Sequence, residues 1–203
     1  SGGDGTPSGG GAPRRMAGVG RQVPTCLVLG ATGSGKSLLA RRLRHIRRGG
    51  APGGTEEGLA ELGEPPSTLP TVGTNLTDLR LPRTVTLREL GGCMGPIWHS
   101  YYGECSALLF VVDAADPTQV SSSCVQLLSV LSAALLASVP VLVLFNKIDL
   151  PCYMSVMEMK SVFHMQDIVS CATQPITILE TSARDGTGLA EVLQWLQATL
   201  GDP

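Results

Sequence analysis

From Cys26 onward the chain alternates short apolar runs with longer segments whose apolar residues recur at helical spacing. CLVLG (26–30), TVTLREL (84–90), ALLFVVD (107–113), PVLVLFNK (140–147) and PITILE (175–180) are β-branched or leucine-rich and of strand length, so they predict strands. SLLARRLRHIRR (37–48), VQLLSVLSAALLA (125–137), SVMEMKSVF (155–163) and GLAEVLQWLQATL (188–200) predict helices. Strands that alternate with helices imply an α/β fold with a mainly parallel sheet covered on both faces.

Two stretches break this rhythm. Residues 1–20 hold eight glycines and two prolines, too little apolar surface to offset chain entropy, so 1–22 is read as a disordered leader. Residues 49–70 hold six glycines, four prolines and four glutamates, and an insertion over about 49–69 is expected to be disordered at its centre. The remainder, 23–201, is read as a single domain, which a length of 203 residues with 43% hydrophobic content supports. Arg41, Arg42, Arg44, Arg47 and Arg48 on the first helix are read as a solvated face near the helix C-terminus, with a phosphate- or membrane-facing patch as the rival.

A formal charge of −2 gives no overall attraction to nucleic acid or anionic lipid. The six cysteines show no C-x-x-C pair, which fits reduced thiols in the cytoplasm and argues against a cysteine metal site. No apolar stretch reaches the roughly 20 residues of a spanning helix, and no signal-peptide pattern is found.

The chemistry concentrates in three places. GATGSGKS (30–37) follows an apolar strand and opens a helix, the required context for a phosphate loop G-x-x-x-x-G-K-[ST]. Gly30, Ala31, Thr32, Gly33, Ser34 and Gly35 turn backbone N–H groups towards phosphates, Lys36 reaches the outer phosphates, and the Ser37 hydroxyl suits magnesium. NKID (146–149) follows a fully apolar strand, where ligands of open α/β sheets bind. Asp149 offers an acceptor pair that suits guanine's ring N–H and amino group, Lys147 can lie along the base, and Asn146 can tie this loop to the phosphate loop. TSARDG (181–186) adds Ser182 and the Ala183 N–H, aimed at the guanine carbonyl. Thr71, in PTVGTNL (70–76), can give its hydroxyl to magnesium and its N–H to the terminal phosphate.

GATGSGKS, PTVGTN, ELGGC, NKID and TSA, in this order, resemble the small GTPases of the Ras superfamily. The Pro-Thr-x-Gly-x-Asn form and the tryptophan-then-tyrosine pattern of IWHSYYGE (97–104) resemble the Arf and Arf-like branch. The resemblance implies a six-stranded sheet with five main helices and a monomeric GTP/GDP switch with Mg2+, whose GTP form recruits protein effectors and regulators. It implies that Thr71 is the first switch threonine, Gly92 the second switch glycine, and Asn146, Lys147 and Asp149 the base readers.

Two residues depart from the pattern. Glu89 stands where the family has aspartate and is expected to serve magnesium through water, together with Ser37 and Thr71. Cys93 replaces the glutamine that orients the attacking water, so its catalytic position is impaired and unaided hydrolysis should be slow. A reactive Cys93 would need a neighbouring base, for which His99 is the sequence neighbour. His45 and His164 read as surface residues, and Trp98, Tyr101 and Tyr102 as helix packing around the switch. The N-terminal stretch shows no apolar helical stripe, and the Gly2 and Thr6 spacing is a chance-prone match to an acylation signal, so membrane contact is assigned to partners. The reading is a slow GTPase switch, cytoplasmic or peripheral on membranes through partners. A non-hydrolysing GTP-dependent scaffold is the alternative, and a P-loop ATP enzyme is disfavoured by the Asn146 to Asp149 motif.

Overall fold

The computed structural model describes residues 22–49, 68–152 and 154–201. The disorder expected of the N-terminal leader and of the centre of the glycine-rich insertion concerns residues outside these.

Six strands form one sheet: β1 (Thr25–Gly30), β2 (Thr74–Arg80), β3 (Thr84–Leu90), β4 (Cys105–Asp113), β5 (Val141–Asn146) and β6 (Ile176–Glu180). Their order is β2-β3-β1-β4-β5-β6, with β2 antiparallel to β3 and every other pairing parallel. Among the described residues five α-helices accompany them: α1 (Lys36–Gly49), α2 (Val120–Leu131), α3 (Val156–Val162), α4 (Met165–Cys171) and α5 (Leu189–Leu200).

The apolar runs become central strands because both faces of the sheet are covered. Side chains alternate across a strand, so Cys26, Val28, Leu109, Val111, Leu142 and Leu144 pack against Leu39 and Leu43 of α1 and Leu189, Val192 and Leu196 of α5. Their neighbours Leu27, Leu29, Leu108, Phe110, Val143 and Phe145 pack on the other face with Trp98, Leu127, Met159 and Phe163. Cys26 is fully buried and serves as a small apolar side chain, its thiol pushed up by burial.

Three elements differ from expectation. Strand β2 is an edge strand in which only Leu79 is buried, so it carries no alternation to read. The helix expected over 125–137 ends at Leu131, and Ala134–Leu136 is a short 3-10 turn. The segment Gly92–Glu104, expected to be helix packing, consists of 3-10 turns with Pro96 inside, although Trp98 and Tyr102 are buried as expected and Tyr101 partly so.

Parallel pairing places the C-terminal ends of β1, β3, β4, β5 and β6 on one side of the sheet. Gly30, Leu90, Asp113, Asn146 and Glu180 end these strands, and each leads directly into a chemistry-bearing loop.

Candidate functional site

The phosphate loop runs from the end of β1 to the first turn of α1. Its glycines are there for clearance as well as conformation. Gly35 has φ +100°, and a Cβ there would fall 2.3 Å from Asn146 Nδ2. Lys36 is almost fully buried, and its Nζ donates to Gly30 O (2.9 Å) and Ala31 O (2.8 Å). Burial lowers the Lys36 ammonium to about 8, while the nearby Glu89 carboxylate pulls it back up. An incoming polyphosphate would act in the same direction as Glu89. The loop, Thr68 to Thr71, Glu89 and Gly92 together enclose a cleft of about 210 Å³.

Strand β3 delivers Glu89 into this cleft at 4% exposure. Its Oε1 accepts from Ser37 Oγ (2.5 Å) and Thr71 Oγ1 (2.9 Å), and those two hydroxyls lie 3.0 Å apart. Asn75 Nδ2 reaches the second carboxylate oxygen at 3.4 Å from the facing position on β2. The sequence-predicted metal residues are therefore together, and they are hard oxygen donors of the kind Mg2+ takes. Glu89 touches the two hydroxyls directly, with no water layer between them.

Gly92 lies against the phosphate loop: a Cβ there would be 2.1 Å from Thr32 N and 2.6 Å from the Ala31 carbonyl carbon. Gly91 is held from two sides, its N–H donating to Gly73 O (2.9 Å) and its carbonyl accepting from Trp98 Nε1 (3.1 Å). Cys93 is exposed, and its thiol donates weakly to Thr71 O at 3.9 Å. His99 Nδ1 lies 3.1 Å from Pro96 O, so the two side chains face different partners.

Beside the phosphate loop, Asn146 joins three segments. Its Nδ2 donates to Ser34 O (2.9 Å), and its Oδ1 accepts from Thr181 Oγ1 and Ala183 N, each at 3.1 Å. The tie to the phosphate loop was expected; the use of the Ala183 N–H was not, since sequence reasoning reserved it for guanine. Lys147, held at φ +67°, donates to Gly33 O (2.5 Å) and pairs with Asp113 Oδ2 at 2.8 Å. Asp149 is exposed, and its Oδ1 accepts from the buried Ser182 hydroxyl at 2.7 Å, which orients the carboxylate.

Sequence reasoning missed two supporting residues. Asp113 ends β4 and fixes Lys147. Arg42, read as part of a solvated face, is 3% exposed, and its guanidinium donates to Ala183 O (3.1 Å) and Arg184 O (3.0 Å). The correction has a plain cause: position 42 lies three residues after Leu39 and four before Ile46, on the helix face turned to the core. Arg41, Arg44 and His45 are exposed, as is His164.

Comparison with known proteins agrees with this arrangement. The sequence profile of the ADP-ribosylation factor family matches residues 59–200. The chain is 61% identical over 189 residues to human ADP-ribosylation factor-like protein 16, covering 93% of this chain and 92% of that one. It is 30% identical over 185 residues to ADP-ribosylation factor-like protein 1 of Drosophila melanogaster, covering 90% and 92%. The Arl6 BBS3 small GTPase of Trypanosoma brucei, solved with the nucleotide analogue GppNp, shares the fold with a TM-score of 0.70 at 21% identity, over 88% of this chain and 98% of that one. The chain belongs to the ADP-ribosylation factor family of small GTPases.

Proposed function

We propose that this chain is a monomeric, cytoplasmic guanine-nucleotide switch that binds GTP or GDP with Mg2+, recruits protein effectors in its GTP form, and hydrolyses GTP slowly unaided. The observation that carries this reading is the convergence of Lys36, Ser37, Thr71, Glu89 and Gly92 around one cleft, with Asn146 and Lys147 of the NKID loop tied to the phosphate loop beside it. Lys36 and the loop N–H groups would hold the phosphates, and Asp149 would select guanine over adenine. A bound Mg2+ would supply charge neutralisation between the outer phosphates.

The terminal phosphate is what distinguishes the two states. Thr71 and Gly92 lie on two separate segments that meet the phosphate loop, so N–H groups from both would gain a partner only in the triphosphate form. Leu69, Val72, Leu76 and Ile97 flank these segments at 87%, 90%, 59% and 48% exposure, which supports an apolar effector surface that moves with them. The six free thiols support a reducing compartment, and membrane attachment is assigned to partners.

Slow hydrolysis follows from Cys93. A thiol is a weak donor and weak acceptor, so it cannot orient water as a carboxamide does. Single-turnover hydrolysis in wild type and Cys93→Gln tests this: a glutamine variant at least about tenfold faster is expected, within the range that water-positioning groups supply. Fast wild-type turnover would remove the claim. The engagement of Cys93 with Thr71 O favours a second reading, a GTP-dependent scaffold that does not hydrolyse at a useful rate. Wild-type hydrolysis that stays at the level of free GTP, with effector capture intact, would select it.

A further inference from the structure

The β2–β3 pair is covered by α1 on one face, where Leu79, Val85 and Leu87 join the core. On the other face the alternate residues Leu76, Asp78 and Arg80 of β2 stand opposite Arg88, Thr86 and Thr84 of β3, and Leu76 and Arg80 are exposed. Arg88 is the least satisfied residue there. Its guanidinium lies over the Tyr101 ring, 5.5 Å from the centroid, a contact that fixes its plane. Nη2 stands 3.5 Å from Glu104 Oε2, where a close charge-assisted bond measures about 2.7–2.9 Å, and the Glu104 side chain is 69% exposed. Nε is shielded from solvent and has no hydrogen-bond partner among the described residues.

Those two nitrogens form one recognition edge. Nε–H and one Nη2–H point in parallel from the same side of the planar guanidinium, at the spacing of the two oxygens of a carboxylate. Glu104 holds half of this edge loosely, and the other half is a charged donor withdrawn from water without a partner, which is costly. Leu76, 59% exposed, flanks the edge across the strands. A carboxylate with an apolar neighbour fits both features. Asp78 and Glu104 on the same surface oppose a polyanion such as nucleic acid. The edge is also placed to follow the nucleotide: Arg88 precedes Glu89, and Tyr101 and Glu104 belong to the segment whose first residue, Gly92, lies against the phosphate loop.

We infer that Arg88 is a specificity-determining residue of the effector surface: its Nε–Nη2 edge takes the carboxylate of an Asp or Glu side chain of a protein partner, whose apolar neighbour packs on Leu76, and Glu104 is displaced. The inference rests on the switch reading above, in which the partner binds the GTP form.

The full chain is loaded with a non-hydrolysable GTP analogue, its nucleotide content is measured, and a phage-displayed library of random peptides is selected on it. Enriched peptides with Asp or Glu beside an apolar residue are expected. Such a peptide should lose at least about thirtyfold in affinity with Arg88→Gln. It should keep its affinity with Arg80→Gln, which removes the same charge from the same face. Arg88→Glu should bind once the peptide's acidic residue is exchanged for lysine. A wild type without acidic preference overturns the inference, and so does equal loss in both glutamine variants, which would make the preference one of overall charge. The Arg88 Nε–H resonance of wild type, followed by nitrogen-15 NMR, should move when the peptide is added; a resonance that stays in place overturns the inference even where the Arg88 variants fail to fold. A chain that does not hold the analogue removes the switch reading itself, whereas one that holds it without selecting acidic peptides removes this inference alone.

Discussion

Arg42 sits on the core-facing side of α1 and gives hydrogen bonds to two carbonyls of the loop that holds Ala183. That loop also supplies Ala183 N–H to Asn146, so Arg42 steadies the NKID loop through its neighbour. Charge-assisted hydrogen bonds contribute about 1.5–3 kcal/mol each, and removing a buried donor leaves its acceptors without partners. Arg42→Met should therefore cost about 3 kcal/mol of stability and accelerate GDP release on the order of tenfold. Release followed by a fluorescent nucleotide, beside thermal unfolding, checks it: a lower melting temperature with unchanged release would make Arg42 a packing residue only. Such residues differ in how legible they are. Lys36, Ser37 and Asp149 announce themselves by motif, because phosphate and guanine chemistry demands those groups at those spacings. Arg42 hides in a run of five arginines, where composition suggests solvent and only its phase against Leu39 and Ile46 reveals burial. Asp113 was hidden for another reason: its partner Lys147 is 34 residues away and meets it only once β4 and β5 pair in register, Asp113 opposite Asn146.

Among the strands, the buried ones and the edge strand β6 were legible, and the edge strand β2 was not. β1, β4 and β5 are covered on both faces and so read as continuous apolar runs. β2 has one buried residue, and nothing in TNLTDLR separates it from a loop until β3 offers a partner. The stretch from Ser155 to Cys171 divides because His164 adopts a left-handed conformation at φ +54°, which ends α3 and starts α4. Residues 92–104 bear most on the proposed switch. Thirteen residues of 3-10 turns, with a proline inside, have poorer hydrogen-bond geometry than an α-helix, which suits the rearrangement proposed above. What pins it is contact: Gly91 through Trp98, and Gly92 against Thr32 and Ala31. Gly92→Ala places a methyl where only 2.1 Å separates it from Thr32 N, and since that neighbour is backbone, the segment itself must move away. Affinity for a non-hydrolysable GTP analogue should fall about a hundredfold, roughly 2.7 kcal/mol, while GDP binding changes little. Titration of both nucleotides measures the difference, and equal losses would mean that Gly92 shapes the phosphate loop rather than sensing the terminal phosphate.

At the scale of the molecule, the loops after five parallel strands gather on one side of the sheet, so a nucleotide bound as proposed would touch nearly every part of it. Asn146 alone links the phosphate loop, β5 and the loop after β6. A ligand bound to so many loops stabilises the global fold and not one corner of it, because every partial opening that frees a loop also loses part of the ligand's contacts. At a hundred times its dissociation constant, a nucleotide that binds only the folded chain adds about 2.7 kcal/mol. For a domain of this size each kcal/mol moves the melting temperature by about 2–4 °C, which predicts a rise of about 5–11 °C. GDP or GTP with Mg2+ should give that rise and ATP should not, since adenine offers Asp149 neither the ring N–H nor the amino group in guanine's arrangement. Asp149→Asn should abolish the preference for guanine while sparing the apo melting temperature, because Asp149 is exposed and the bond it accepts from Ser182 can be taken over by the amide oxygen. Thermal unfolding of wild type and variant against the three nucleotides separates the outcomes. An equal rise with ATP would mean that the NKID loop does not read guanine, whatever the phosphate loop holds.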